Sequence, residues 1–477
     1  MQSRSARLEA ALSRLDILVN WEKKARDAGQ GGMRVSLEPV RDLCARLGSP
    51  ERAFRAVHVA GSKGKGTTAA LVAAALRAAG VRVALYTSPH VERIQERLVI
   101  DGAEVGDAAL AEALERALAA RDRGVAEGSP ARDATWFDVL TSAAFVVIAA
   151  AEVDLAVVEC GLGGRLDSTN VVHGPVAAIT SIYLEHTAVL GPTRVAIAGE
   201  KAGIVKPGTT VVVAALSPED EATAVVEQAA RERGARCVRI EHGAADPIEL
   251  RNLRLAGAIL DELARADPEL SARAPRTLRS ATLQRDPGIA GLQRSATPQR
   301  GPGIAGLQRS ATLQRGPGIA GLQPGSPRFS LDATTIQLAR LPGRAERRWR
   351  GATRIVLDGA HVPESLDLVL RDLAAEPELA APPVVVFGCG QEKNARGLLK
   401  ALRGRVDRVH CSSVGQGPFR DAAELTGLSR ELGFDARAVP DPAAALDEAV
   451  RVAGTSGWVL VTGSLHLVGA LRGLTRP

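Results

Sequence analysis

The stretch VAGSKGKGTTAALVAAAL, residues 59–76, sets three glycines and two lysines within six positions between an apolar run and an Ala/Leu-rich one. A strand that turns into a helix through such a loop leaves backbone N–H groups and the helix N-terminus facing one point, and that arrangement holds an anion. In a cradle of this kind Lys65 reaches the terminal phosphates of a nucleotide and the Thr67 hydroxyl is placed for Mg²⁺. Val59 stands where a full P-loop pattern has its first glycine, so the motif alone is moderately specific. Its plain alternative is a glycine-rich turn with solvated lysines.

The sequence around this loop sets the fold class. Short apolar, β-branched runs at 54–60, 81–87, 153–159, 176–182 and 209–216 alternate with helix-like stretches, and a second series follows at 353–361, 383–390, 406–413 and 457–464. Alternation of this kind is the pattern of a parallel sheet covered by helices. With 477 residues the chain exceeds what one core spans. The reading is therefore α/β: a P-loop doubly wound parallel-sheet domain over residues 1–345, followed by a smaller Rossmann-like α/β domain over 346–477.

Between the two series, three near-identical 15-residue copies run from Arg279 to Gln323 (RSATLQRDPGIAGLQ, RSATPQRGPGIAGLQ, RSATLQRGPGIAGLQ). Each holds a Pro-Gly pair and too few large apolar residues to bury a face, so a disordered insertion over about 273–325 is expected rather than a solenoid. The net charge of +6 rests largely on dispersed arginines, since only eight of the 60 basic residues are lysine, and aromatics are 3%. That argues against a nucleic-acid surface and suits a polyanionic small substrate. Five scattered cysteines without metal spacing point to a reducing cytosol. No apolar run approaches the roughly 20 residues of a membrane span.

An anion cradle that handles ATP needs an acid at a neighbouring strand end, where open α/β sheets bind ligands. VDLAVVEC supplies Glu159, followed by the glycine-rich GLGGRLDSTN. HVAGSKGKGTT (58–68), LYTSPHVERIQERL (85–98), VVECGLGGRLDSTN (157–170), ITSIYLEHTAVLGPT (179–193), GEKAGIVKPG (199–208) and LDGAHVPESL (357–366) then occur in order. Together these blocks resemble the folylpolyglutamate synthase and dihydrofolate synthase family of the Mur ligase superfamily.

The resemblance implies an ATP-dependent amide ligase acting in folate biosynthesis, cytoplasmic and monomeric, that phosphorylates a carboxylate and lets L-glutamate attack the acyl phosphate. Its substrates would be dihydropteroate or a reduced folate. ATP would lie along Gly61, Ser62, Lys63, Gly64, Lys65, Gly66, Thr67 and Thr68, with Asn252, Arg344 and Asp358. Thr67, Ser88 and Glu159 would serve one Mg²⁺, and Glu159, His186 and Lys201 a second, Lys201 being carbamylated by CO₂. Phe137 in TWFD and Asp167 would meet the pterin; an acid at position 167 tilts the reading toward dihydropteroate. His361 and Ser464 would lie at the glutamate site, and Lys393 would contribute on domain closure. His58 and Cys160 are left to the core.

The chain departs from the family pattern at several points. Lys63 replaces an Asn by the phosphates, Glu185 lengthens the acid of the usual L-D-H, and Val362 replaces an Asn whose amide could hydrogen-bond. The adenine-side block survives only around Asn252. Two rival readings follow: a superfamily ligase acting on a peptidoglycan precursor, and a nucleotide-binding paralogue without catalysis.

Overall fold

The computed structural model describes residues 5–20, 36–217, 219–243, 246–273, 329, 331–415 and 419–477. The 15-residue repeat lies outside the described residues. Two sheets organise the rest. The first comprises β1 (Ala56–Ala60), β2 (Val83–Tyr86), β3 (Leu98–Ile100), β4 (Ala103–Glu104), β5 (Leu155–Glu159), β6 (Val176–Ile179), β7 (Thr210–Ala215) and β8 (Arg236–Glu241), in the order β4-β3-β2-β5-β1-β6-β7-β8. Strands β2, β5, β1, β6, β7 and β8 are parallel, and β3 and β4 extend one edge antiparallel.

Every residue of β1 and β5 is buried, as central parallel strands covered on both faces require. On one face Val57 and Val59 pack with Leu71, Val72 and Leu76 of the helix Lys65–Ala78. Burying each such aliphatic side chain contributes about 1.5–3 kcal/mol. On the other face Ala56 shares a core with Val139, Leu140 and Phe145 of the helix Trp136–Ala150. The chain leaves β1 toward β2 on one side and later reaches β6 on the other. The carboxyl ends of β1, β5 and β6 therefore flank the topological switch point, where a ligand crevice opens.

Two helix starts shape that crevice. Gly64, at φ +83°, caps the helix Lys65–Ala78 without any side-chain acceptor, so the first-turn N–H groups face the crevice uncapped. The TWFD block forms a capping box: Thr135 Oγ1 accepts from Asp138 N at 3.3 Å and Asp138 Oδ2 accepts from Thr135 N at 2.9 Å. Trp136 and Asp138 are buried by this geometry.

The second sheet comprises β9 (Glu346–Arg350), β10 (Thr353–Leu357), β11 (Val384–Phe387), β12 (Arg408–Cys411), β13 (Asp435–Ala438) and β14 (Trp458–Thr462), in the order β13-β12-β11-β14-β10-β9. It is parallel except for β9, which pairs antiparallel with β10. Arg472 joins the two halves, donating to Glu92 at 3.1 Å and to Glu346 at 3.0 Å. Among the described residues no helix is long and apolar enough to cross a membrane.

The helix Pro363–Ala374 starts at Val362, an N-cap with extended backbone and no side-chain hydrogen bond. An N-cap Asn accepts from a first-turn N–H, and such caps contribute about 1 kcal/mol. Val362→Asn is expected to stabilise the protein by about that amount, read as a higher midpoint in urea unfolding followed by circular dichroism.

Candidate active site

The carboxyl ends of both sheets face one cleft of about 1640 Å³. A single small-molecule site takes roughly 300–1,000 Å³, so this cleft has room for more than one substrate. It is lined by Gly61 to Thr67, Ser88, Phe137, Glu159, Asp167, His186, Asn252, Arg344, Asp358, His361, Lys393 and Ser464. Two expected residues do not line it. Thr68 is fully buried, because the 100° step per helical residue turns it off the face on which Thr67 stays partly exposed. The Thr68 side chain thus stands apart from the cleft that Thr67 lines. Lys201 lies under the loop, 1% exposed.

The loop is fixed from the end of β6. Thr180 Oγ1 donates to Lys63 O at 2.6 Å, Lys63 N donates to Ser181 Oγ at 3.0 Å, and Ser62 N donates to Ser181 O at 2.6 Å. Gly61 adopts φ +143°, and a Cβ there would overlap Thr180 Oγ1 and lie 2.9 Å from Thr180 N. Lys65 and Lys201 both donate to the Gly61 carbonyl, each at 3.0 Å. The loop thus concentrates positive charge around a rigid turn.

Glu159, 4% exposed, ends β5 against the start of the helix Lys65–Ala78: its Oε2 accepts from Ser88 N at 3.0 Å and would stand 3.2 Å from a Cβ on Gly66. Burial raises its pKa above the usual range, opposed by the Lys65 ammonium and the Ser88 N–H. Among the described residues no three His, Cys, Asp or Glu side chains group as metal ligands. The set expected from sequence draws instead on the hydroxyls of Thr67 and Ser88 and on Lys201, beside Glu159 and His186. His186 is exposed on the cleft wall, at a left-handed backbone position, φ +47°.

Sequence reading missed the role of Glu185. Its Oε1 accepts from Lys201 Nζ at 3.0 Å, both side chains being buried. Burial alone would raise the Glu185 carboxyl, yet the ammonium groups of Lys201, Lys65 and Lys63 hold it at about 2. Burial pushes Lys201 below the usual lysine range, with Glu185 opposing. The only signal in the sequence was an acid immediately before His186.

On the wall expected to meet the pterin, Phe137 packs against Gly161, where a Cβ would lie 2.7 Å from its ring, and its centroid is 6.5 Å from that of Tyr86. Asp167 Oδ2 accepts from Leu162 N at 2.7 Å and Oδ1 from Thr169 N at 3.0 Å. His58 and Cys160 sit behind it in the core: His58 Nε2 is 2.8 Å from Thr169 Oγ1 and 3.0 Å from Cys160 Sγ. On the opposite wall Asp358 accepts from Ala345 N and Ala360 N, each at 2.8 Å, and Ser464 Oγ accepts from His466 N at 3.1 Å. His361 Nε2 meets Lys63 Nζ across the cleft at 3.4 Å. Asn252 lies against Gly64 and would overlap a Cβ there.

Residues 343–465 match the glutamate ligase domain of the Mur ligases. The dihydrofolate synthase/folylpolyglutamate synthase of Bacillus subtilis is 41% identical over 192 residues, a match spanning 39% of this chain and 44% of that protein. The Escherichia coli dihydrofolate synthase/folylpolyglutamate synthase is 30% identical over 478 residues, covering 95% of this chain and 93% of that protein. The chain belongs to the dihydrofolate synthase/folylpolyglutamate synthase family. A family member solved with Mn, AMPPNP and L-glutamate bound superposes with a TM-score of 0.70 at 26% identity, over 99% of this chain and 98% of that one. That solved synthase therefore shares the overall fold of this chain.

Proposed function

We propose that the chain is an ATP-dependent amide ligase that joins L-glutamate to dihydropteroate, to the glutamate tail of a folate, or to both, through an acyl phosphate. The observation that carries this reading is the convergence of the loop Gly61–Thr67, Glu159 and the opposing Asp358, His361 and Lys393 on one cleft. Relatives carry the names of this activity, and one was solved with a nucleotide analogue, Mn and L-glutamate together. In this reading residues 1–345 form the domain for ATP and pterin, and 346–477 the one for glutamate.

A carboxylate is a poor acyl donor and phosphate a good leaving group, so the protein's work is positioning and charge neutralisation. Lys65 and Arg344 surround the phosphates, and the uncapped N–H groups of the helix Lys65–Ala78 add their dipole. A bound Mg²⁺ would neutralise charge on the transferring group, held by Thr67, Ser88, Glu159, His186 and Lys201. Glu159 fits that role as it stands. Lys201 as an ammonium does not; as a carbamate it supplies anionic oxygen. The reaction R–NH₂ + CO₂ → R–NH–COO⁻ + H⁺ needs a neutral amine, which burial of Lys201 favours. Phe137 offers the pterin a stacking face, and Asp167 keeps lone-pair capacity beyond its backbone bonds.

The test incubates purified protein with ATP, Mg²⁺ and glutamate, offering dihydropteroate and a tetrahydrofolate in separate reactions, and weighs the products by mass spectrometry. One added glutamate on either acceptor is the expected result. ATP binding with no amide product would overturn the reading.

A further inference from the structure

Lys63 projects from the phosphate loop to the opposite wall, and its Nζ stands 3.4 Å from His361 Nε2. The other ring nitrogen, His361 Nδ1, is 2.9 Å from the carbonyl of Gly359. A carbonyl only accepts, so Nδ1 carries the proton and Nε2 presents its lone pair to the Lys63 ammonium. The loop holds Lys63 in place by both its backbone N and its backbone O, through Ser181 and Thr180. A cation fixed at the phosphate loop therefore covers the one basic nitrogen of a histidine on the other domain.

We propose that Lys63 keeps His361 Nε2 occupied until phosphate oxygens in the cleft draw its ammonium away, and that the freed Nε2 then takes the proton of the incoming amino group. The proposal rests on the ligase reading given above. The glutamate ammonium gives one proton to Nε2, and its freed lone pair forms the C–N bond to the acyl carbon. The second proton leaves the same nitrogen for the departing phosphate, which takes the electron pair of the breaking C–O bond. The base is thereby tied to the presence of phosphate in the cleft, and it is absent while the cleft holds none.

The charges facing His361 support this order. Lys63 from the loop, Lys393 after β11 and Arg344 before β9 are all cationic, and the Lys63 ammonium, followed by burial, holds the imidazole well below its usual pKa. Acids also lie nearby: Asp358 precedes His361 on the same segment and Glu392 pairs with Lys393 at 3.0 Å. Anionic phosphate beside Lys63 cancels the largest opposing charge, which makes Nε2 a stronger base at the moment it is needed.

The test is an imidazole NMR titration of the full chain carrying ¹³C/¹⁵N-labelled histidine, with the His361 signal assigned by its loss in His361→Gln. Wild type without nucleotide is expected to keep His361 neutral well below the usual imidazole range, and a non-hydrolysable ATP analogue with Mg²⁺ raises the midpoint. Lys63→Met removes the neighbouring charge, so its midpoint without nucleotide is about one pH unit or more higher than in wild type. Lys63→Arg keeps the charge and behaves as wild type. Equal midpoints for wild type and Lys63→Met overturn the proposal, as does an analogue that leaves the wild-type midpoint unmoved. These titrations need no turnover, so failure of the ligase reading is recognised separately: the mass assay then shows no amide whatever His361 does.

Discussion

Lys201→Ala is expected to lower amide formation by about 10³-fold or more, the scale on which a single charged group at a transferring phosphoryl acts. Part of the loss has a trivial source to be separated out. Removing Lys201 strands Glu185, whose carboxyl is buried and held low by three ammonium groups, and breaking a buried pair costs about 3–5 kcal/mol. Lys63 and Lys65 remain to face Glu185, which limits that penalty, and the variant's fold is checked by circular dichroism. The informative readout is chemical rescue. If Lys201 acts as a carbamate, acetate or propionate diffusing into the truncated space restores activity, whereas methylammonium restores none. Wild-type activity should also fall when CO₂ is stripped from the buffer, and fall more at lower pH, where a protonated amine no longer reacts. Rescue by methylammonium, with indifference to CO₂, would show that Lys201 serves as a cation paired to Glu185.

The parts of the fold that were legible in sequence are those whose physics is local. β1, β2, β5, β6, β7, β10, β11, β12 and β14 are parallel strands inside their sheets, and such strands read as continuous apolar runs. The strands that escaped lie at or near sheet edges. β9 is ERRWR and β8 is RCVRIE, both rich in charge, which protects an edge from pairing with another chain and erases the hydrophobic pattern. Their place is set by the neighbour they pair with, β10 for β9 and β7 for β8.

The same division holds in the cleft. Glycines that need positive φ, a strand-end acid and a helix start are written in short stretches, so Gly61 to Thr67 and Glu159 could be read off directly. Thr68 stands next to Thr67 in the sequence, yet one helical step buries its side chain away from the cleft lining. Glu185 could be recognised only once the chain had folded Lys201 back onto it, and the Lys63 to His361 contact joins residues 298 positions apart. Motifs record which groups a site holds; the pairing of charges inside it is a property of the folded structure.

Gly61→Ala is the loop substitution with the largest expected consequence. The added methyl would overlap Thr180 Oγ1, which could turn aside, but it would also lie 2.9 Å from Thr180 N, which cannot. That N–H is committed to Ala60 O at 2.9 Å in the backbone pairing that carries β1 alongside β6. The residue must also hold φ +143°, a conformation that strains an L side chain. Clash and strain together should destabilise the fold by about 2–3 kcal/mol. Relief comes by shifting the loop, which moves the Gly61 carbonyl away from the amines of Lys65 and Lys201 and spoils the anion cradle. Nucleotide affinity measured by calorimetry is then expected to fall about 100-fold, equivalent to about 2.7 kcal/mol. Thr180→Ala in the same chain removes the Oγ1 overlap but leaves the backbone contact and the strained φ, so the double variant should recover part of the stability and little of the affinity. Full recovery of nucleotide binding in the double variant would mean that only the hydroxyl opposed the methyl. Thr180→Ala alone, which loses the 2.6 Å bond to Lys63 O, should cost about 1 kcal/mol, and the cycle of the three variants separates the hydroxyl's clash from the backbone's.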